Sequence, residues 1–192
     1  MKRTATRTAR PITAKYLQNA ATFYLERYAS SAEGLRRVLR RRVRKAEMLE
    51  APVMENVEQA IEAVVQKFVS AGLLDDKAFA QTKARSLHRR GMSGRLTRQR
   101  LQVAGVDGAT VDQAMAGLDD ELGTDPAKRE LQAALAFARR RRLGPWRAKD
   151  RDENRTRDLA SLARAGLAYE LARKVIDAKD TDALDEGALD ES

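Results

Sequence analysis

Cysteine is absent from the 192 residues. Disulfides, thiolate nucleophiles and sulfur ligation of metals are excluded with it. Histidine occurs once, at His88, with no metal-ligand spacing or nucleophilic serine turn around it, so it reads as a surface or helix-end residue. Proline is limited to four residues and aromatics to 5%, while alanine, leucine, arginine, glutamate and lysine dominate, a balance that favours helix over strand. Long apolar runs are also missing. The opening "MKRTATRTARP" has no secretory core, and the longest uncharged segments fall far short of the ~20 residues that span a bilayer. A soluble, cytoplasmic, all-α protein without a membrane partner is expected.

Charge is abundant: 37 Lys and Arg stand against 28 Asp and Glu, a net +9 that points to polyanionic partners and says nothing of fold. It is unevenly spread. Residues 1–50 carry 13 basic and 4 acidic groups, residues 51–123 carry 9 and 10, and residues 177–192 hold seven acids with a single lysine. Two basic regions thus flank a neutral middle, with acid behind them.

Residues 1–14 lack apolar periodicity and read as a disordered basic arm. Helical spacing then runs through Tyr16, Leu17, Ala20, Ala21, Tyr24, Leu25 and Tyr28. Ser30 or Ser31 caps a second helix through Leu35, Val38, Leu39 and Val43, followed by a long link, "RRRVRKAEMLEAP". Pro52 is expected in the first turn of a third helix carrying Val57, Ile61, Val64, Val65, Phe68 and Val69, with Gly72 as its stop.

The same order recurs. Asp75 or Asp76 caps a helix ended by Gly91, Ser93 caps one ended by Gly105, and Asp107 or Thr110 opens one ended by Gly123. Thr124 or Asp125 with Pro126 starts a further round, which "RDLASLARAG" and "LAYELARKVI" complete. Without gaps, "LQVAGVDGATVDQAM" (101–115) aligns with "LARAGLAYELARKVI" (162–176), matching Leu101 to Leu162 and Gly105 to Gly166. Gly144 to Gly166 is longer than Gly91 to Gly105, so "RAKDRDENRTRD" should form an exposed extension with room for an extra helical turn. The expected fold is three tandem three-helix repeats, at 15–72, 73–123 and 124–179, in an elongated, curved array, with an acidic disordered tail at 180–192.

No nucleophile, base and orienter, and no metal set, can be assembled, so neither enzymatic activity nor a cofactor is expected. Asp75 and Asp76 precede an apolar helix and read as caps rather than acid-base groups. Gly91, Gly94, Gly105 and Gly108 read as helix stops, since no GK[ST] follows them. Phe23, Phe68, Phe79 and Phe137 fall at helical apolar positions and are expected in the core rather than as base-stacking groups. The chemistry lies in arginine clusters: "RRVLRRRVRK" (36–45), "HRRGMSGRLTRQR" (88–100) and "FARRRRLGPWR" (137–147). Arg139 to Arg142 point around most of a helix circumference, and guanidinium forks suit phosphates. Singly, such arginines also serve helix C-termini. Trp146 suits either a module junction or a partner contact.

The stretches "FYLERYASSAEGLRRVL", "VSAGLLDDKAFAQTKARSLHRRGMSGRLTRQRL" and "RRRRLGPWR" followed by "RDLASLARAGLAYELARKVI", across residues 15–178, resemble the RecX family of bacterial regulators of the RecA recombinase. The basic arm, Tyr28 in a position that is often basic, and the acidic tail depart from the family pattern. The resemblance implies three tandem three-helix repeats and a non-enzymatic role, and a monomer is expected. It further implies binding to RecA filaments on single-stranded DNA, restraining ATP hydrolysis, strand exchange and coprotease activity. Candidate contacts to filament or DNA are Arg36, Arg37, Arg40, Arg41, Arg89, Arg90, Arg95, Arg98, Arg139, Arg140, Arg141, Arg142 and Arg147, with Trp146. The rival reading is a helical nucleic-acid-binding module that acts without RecA.

Overall fold

The computed structural model describes residues 10–182 and 184. Among them nine α-helices follow one another: α1 (Ala14–Leu25), α2 (Ala32–Glu47), α3 (Val57–Ser70), α4 (Asp76–Arg89), α5 (Gly94–Val103), α6 (Gly108–Leu122), α7 (Pro126–Arg141), α8 (Arg151–Arg164) and α9 (Tyr169–Asp177). A single 3-10 turn, Gly144–Trp146, lies between α7 and α8. No strand is present among the described residues, in keeping with an all-α repeat array.

Short polar side chains start these helices by accepting backbone N–H groups that have no partner within the helix. Thr13 accepts from Tyr16, Ser31 from Gly34 at 2.9 Å, Ser93 from Leu96, Asp107 from Thr110 and Asp125 from Lys128. The adjacent pair Asp75 and Asp76 divides its labour. Asp75 Oδ1 accepts the Ala78 N–H of its own helix at 2.9 Å, whereas Asp76 Oδ1 accepts the Ala32 N–H at the start of α2 at 2.7 Å.

The described residues divide into two compact units, one reaching to Phe79 and including Ala104–Val106, the other made of Ala80–Val103 and the chain from Asp107. The first is built on Leu17, Leu35, Leu39, Ile61 and Val65, all buried. Ser31 Oγ donates to the Ala104 carbonyl at 2.5 Å, which ties the 104–106 stretch to the start of α2. In the second unit a core of Leu131, Ala134, Phe137, Leu162, Val175 and Ile176 joins α7, α8 and α9. The second and third helix trios share one of these units. Close backbone approach explains it: Gly91 adopts φ +74°, and a methyl group there would sit 2.5 Å from the Ala133 carbonyl oxygen and 2.5 Å from the Phe137 nitrogen. Gly105 and Gly166, matched in the ungapped comparison, both take left-handed conformations, φ +89° and +85°.

Other expectations need correction. Ile12, assigned to the arm, is buried; its N–H donates to the Pro52 carbonyl at 2.8 Å and its carbonyl accepts from Met54 at 3.3 Å. Pro52 thus lies in the loop that receives this stretch, five residues before α3, whose cap position is Asn56. Much of the expected link after Val43 is helical, since α2 continues to Glu47. Phe68 and Phe137 are buried, but Phe23 is 53% exposed. The extension before α8 is realised as the 3-10 turn and a longer helix, 14 residues against 10 in α5. Of the expected acidic tail, Leu184 is buried, and residues 183 and 185–192 lie outside the described residues, as do residues 1–9 of the arm.

Candidate nucleic-acid interface

Helix α2 carries two arginine rows with different fates. Residues three or four apart share a helix face. Arg36 and Arg40 form the row turned to α3. Arg36 Nε and Nη2 donate to Glu62 at 2.7 and 2.8 Å, and Arg40 Nε donates to Glu58 at 3.0 Å. Glu33 lies 3.6 Å from both guanidinium groups. The Arg36 and Gln66 donors together hold the Glu62 carboxyl down to about 2, and the same Glu62 contact raises Arg36. These two candidates are neutralised within their own unit.

The second row is Arg37, Arg41, Arg44 and Lys45, lining a shallow concavity that ends on Met48, 84% exposed. Arg37 Nε reaches Glu33 at 3.3 Å. Arg41, Arg44 and Lys45 make no ion pair among the described residues. A cationic concavity with an apolar floor, on a rigid helix, suits phosphates threaded along it. Arg44 and Lys45 belong to the same basic run without being among the candidate contacts; the i, i+4, i+7, i+8 spacing from Arg37 is the signal that places them beside Arg41.

In the second unit the end of α7 meets one of the other basic runs. Arg140 Nη2 donates to the Arg90 carbonyl at 2.7 Å, joining the 89–90 and 139–142 clusters just beyond the last turn of α4. Its guanidinium and that of Arg141 lie 5.8 and 4.9 Å from the Phe137 ring centroid. Arg142 ends the helix in a left-handed conformation, φ +54°. Arg89, Arg95, Arg139, Arg141 and Arg142 are exposed and have no acidic partner among the described residues, whereas Arg98 pairs with Asp112 at 3.6 Å.

Two further candidates make contacts inside the second unit. Arg147 grips Asp158 with both Nε and Nη2, at 3.1 and 2.6 Å, and the Gly144 N–H donates to the same carboxylate at 3.0 Å. Asp158 is only 1% exposed, so this fork compensates a buried charge and raises the Arg147 guanidinium. Trp146 is partly buried against the α7–α9 core, inside the third helix trio.

Some charged roles carried no sequence signal. Arg129, on α7, is buried and pairs with Asp119 of α6. Arg151 donates to the carbonyls of Ile176, Ala178 and Lys179, closing the end of α9, and Arg155 forks onto Asp177 at 2.7 Å. His88 ends α4, half-buried; desolvation and the nearby Arg129 charge push its pKa down. Among the described residues no group of acids and histidines could hold a metal ion, and no helix is long and apolar enough to cross a membrane.

A family model described as "RecX, second three-helix domain" matches residues 75–115, the span from the α4 cap into α6. The chain is 42% identical over 170 residues to a regulatory protein RecX from Myxococcus xanthus, covering 88% of each. It is 31% identical over 162 residues to that of Agrobacterium fabrum, covering 84% of this chain and 82% of the relative. A crystal structure of regulatory protein RecX aligns over 86% of this chain and 72% of that one, with a TM-score of 0.51 and 19% identity.

Proposed function

The chain belongs to the RecX family of regulatory proteins, and from that premise we propose that it binds RecA filaments on single-stranded DNA and restrains their ATPase, strand-exchange and coprotease activities. It acts by occupancy and not by catalysis. The observation that carries this reading is the α2 row: Arg41, Arg44 and Lys45 stand together without a carboxylate, while their neighbours Arg36 and Arg40 are neutralised by α3. Isolated like charges on one helix face repel, so a folded helix keeps such a row at a cost that an anionic partner offsets. The exposed arginines at 89, 95, 139, 141 and 142 give the second unit a cationic surface of its own.

The test is single-stranded-DNA-dependent ATP hydrolysis by the cognate RecA, titrated with this protein from well below filament stoichiometry, alongside binding to bare DNA. Suppression at low ratios is expected. No suppression until the bare DNA is saturated would favour a module that binds nucleic acid without RecA. Replacing Arg41, Arg44 and Lys45 together by Gln should weaken suppression while leaving the urea midpoint near that of the parent. Full suppression by that triple variant would remove the α2 row from the interface.

A further inference from the structure

The end of α1 and the turn that follows it expose aromatic surface that the core could have taken. Phe23 is 53% and Tyr28 58% exposed, while Leu17, Ala20 and Ala21 of the same helix are buried. Neither ring hangs loose. The Arg27 guanidinium carbon lies 3.7 Å from the Phe23 ring centroid, and Arg27 Nη1 donates to the Phe23 carbonyl at 3.4 Å. Tyr28 is backed by Tyr24, with centroids 5.2 Å apart and planes tilted by 36°. Tyr24 itself packs on the unit's core. Arg27 has no acidic partner among the described residues.

We propose that Phe23, Arg27 and Tyr28 form a stacking platform for unpaired nucleobases of a single-stranded nucleic acid. The proposal rests on the reading that the chain engages single-stranded DNA and assigns the bases, as distinct from the phosphates, a site of their own. Bases stack on aromatic rings and on guanidinium planes alike, and the contact tolerates any sequence because every base has a π-face. An aliphatic protein surface would satisfy the rings but leave the unpaired Arg27 charge desolvated. A nucleotide supplies a flat face for the stack and a phosphate for the cation. The propping contacts reduce the rotamer freedom lost on binding.

The experiment measures binding of a fluorescent oligo-dT, and of a length-matched strand with abasic residues, by the parent, by Phe23→Ala/Tyr28→Ala and by Phe23→Leu/Tyr28→Leu. The Ala pair should weaken oligo-dT binding by about tenfold for each base that loses its platform, with an unchanged slope against log salt. The Leu pair, which keeps apolar area without π-faces, should bind as weakly. Removing the bases should penalise the parent and leave both variants little changed. Because all four substitutions fall on exposed side chains, unfolding midpoints should stay near the parent value. The proposal is overturned if either variant binds oligo-dT like the parent, or if base removal penalises parent and variants equally. It also fails if the Ala pair keeps oligo affinity yet loses RecA suppression, which would assign the surface to a protein partner. A parent that suppresses RecA but binds no bare strand sinks the platform and spares the regulatory reading. Base-dependent binding without any effect on RecA does the reverse.

Discussion

Single residues decide which arginines remain available to a partner. Arg147 sits in one of the basic runs that drew attention to the sequence, yet its guanidinium is committed to a carboxylate that is almost fully buried. Removing that carboxylate, as in Asp158→Ala, leaves the Arg147 fork and the Gly144 N–H without their acceptor. We expect a loss of about 3 kcal/mol in urea-monitored unfolding, with any decline in function following the fraction unfolded. A loss of function at unchanged stability would contradict this assignment. Glu62 makes a milder prediction. Its folded pKa, about 2, lies below the ordinary 4.5, so its contribution to stability is present above pH 4.5 and disappears as pH falls toward 2. The Glu62 side chain is about half exposed, so Glu62→Gln should cost only ~0.5 kcal/mol near neutrality, and the gap from the parent should close across that acidic window. A gap that widened on acidification would reverse the sign. Such pairings were hidden from the sequence because Arg147 and Asp158 lie on different elements, and no local spacing announces their meeting.

At the scale of elements, the helix boundaries were the most legible part of the chain. Ser31, Asp75, Ser93, Asp107 and Asp125 cap, and Gly72, Gly91, Gly105, Gly123 and Gly166 turn left-handed near helix ends, because short-range stereochemistry alone dictates those choices. Pro52 misled because a favourable residue for a first helical turn is equally suited to a loop, and the pairing with Ile12 comes from forty residues away. Phe23 misled because helical spacing identifies an apolar position without saying that the neighbouring elements cover it. The glycines also separate local from tertiary demand. At Gly72, φ is +69° with nothing near a prospective methyl group, so Gly72→Ala should cost only the left-handed penalty, about 1 kcal/mol. At Gly91 the same substitution drives a methyl group into the α7 backbone, so Gly91→Ala should cost at least twice as much in the same unfolding assay. Equal costs would mean that the α4–α7 approach is softer than its geometry indicates.

For the whole molecule, the RecX resemblance reached the family and the all-α repeat order from the residues, while the grouping into two packing units depends on contacts distant in sequence. Charge arithmetic correctly located the basic α2 region while leaving its two rows indistinguishable, since neutralisation depends on Glu58 and Glu62 of α3. Their electrostatic difference is measurable. Replacing Arg41, Arg44 and Lys45 by Gln should make the slope of log affinity for single-stranded DNA against log salt about 2 less steep. Replacing Arg36 and Arg40 should change that slope less and lower stability more. Equal slope changes would place both rows on the nucleic acid.

The first unit has one further property, set by the order in which a ribosome delivers it. Its helices are all available once residue 79 has emerged, but Ala104–Val106, which accept the Ser31 hydroxyl and pack over Glu33, follow more than twenty residues later. At roughly 5–20 residues per second, that interval is on the order of seconds. During it the nascent unit keeps the Asp76 contact to Ala32 but lacks the cover over Ser31 and Glu33, so its last native contacts arrive with a segment encoded inside the next repeat.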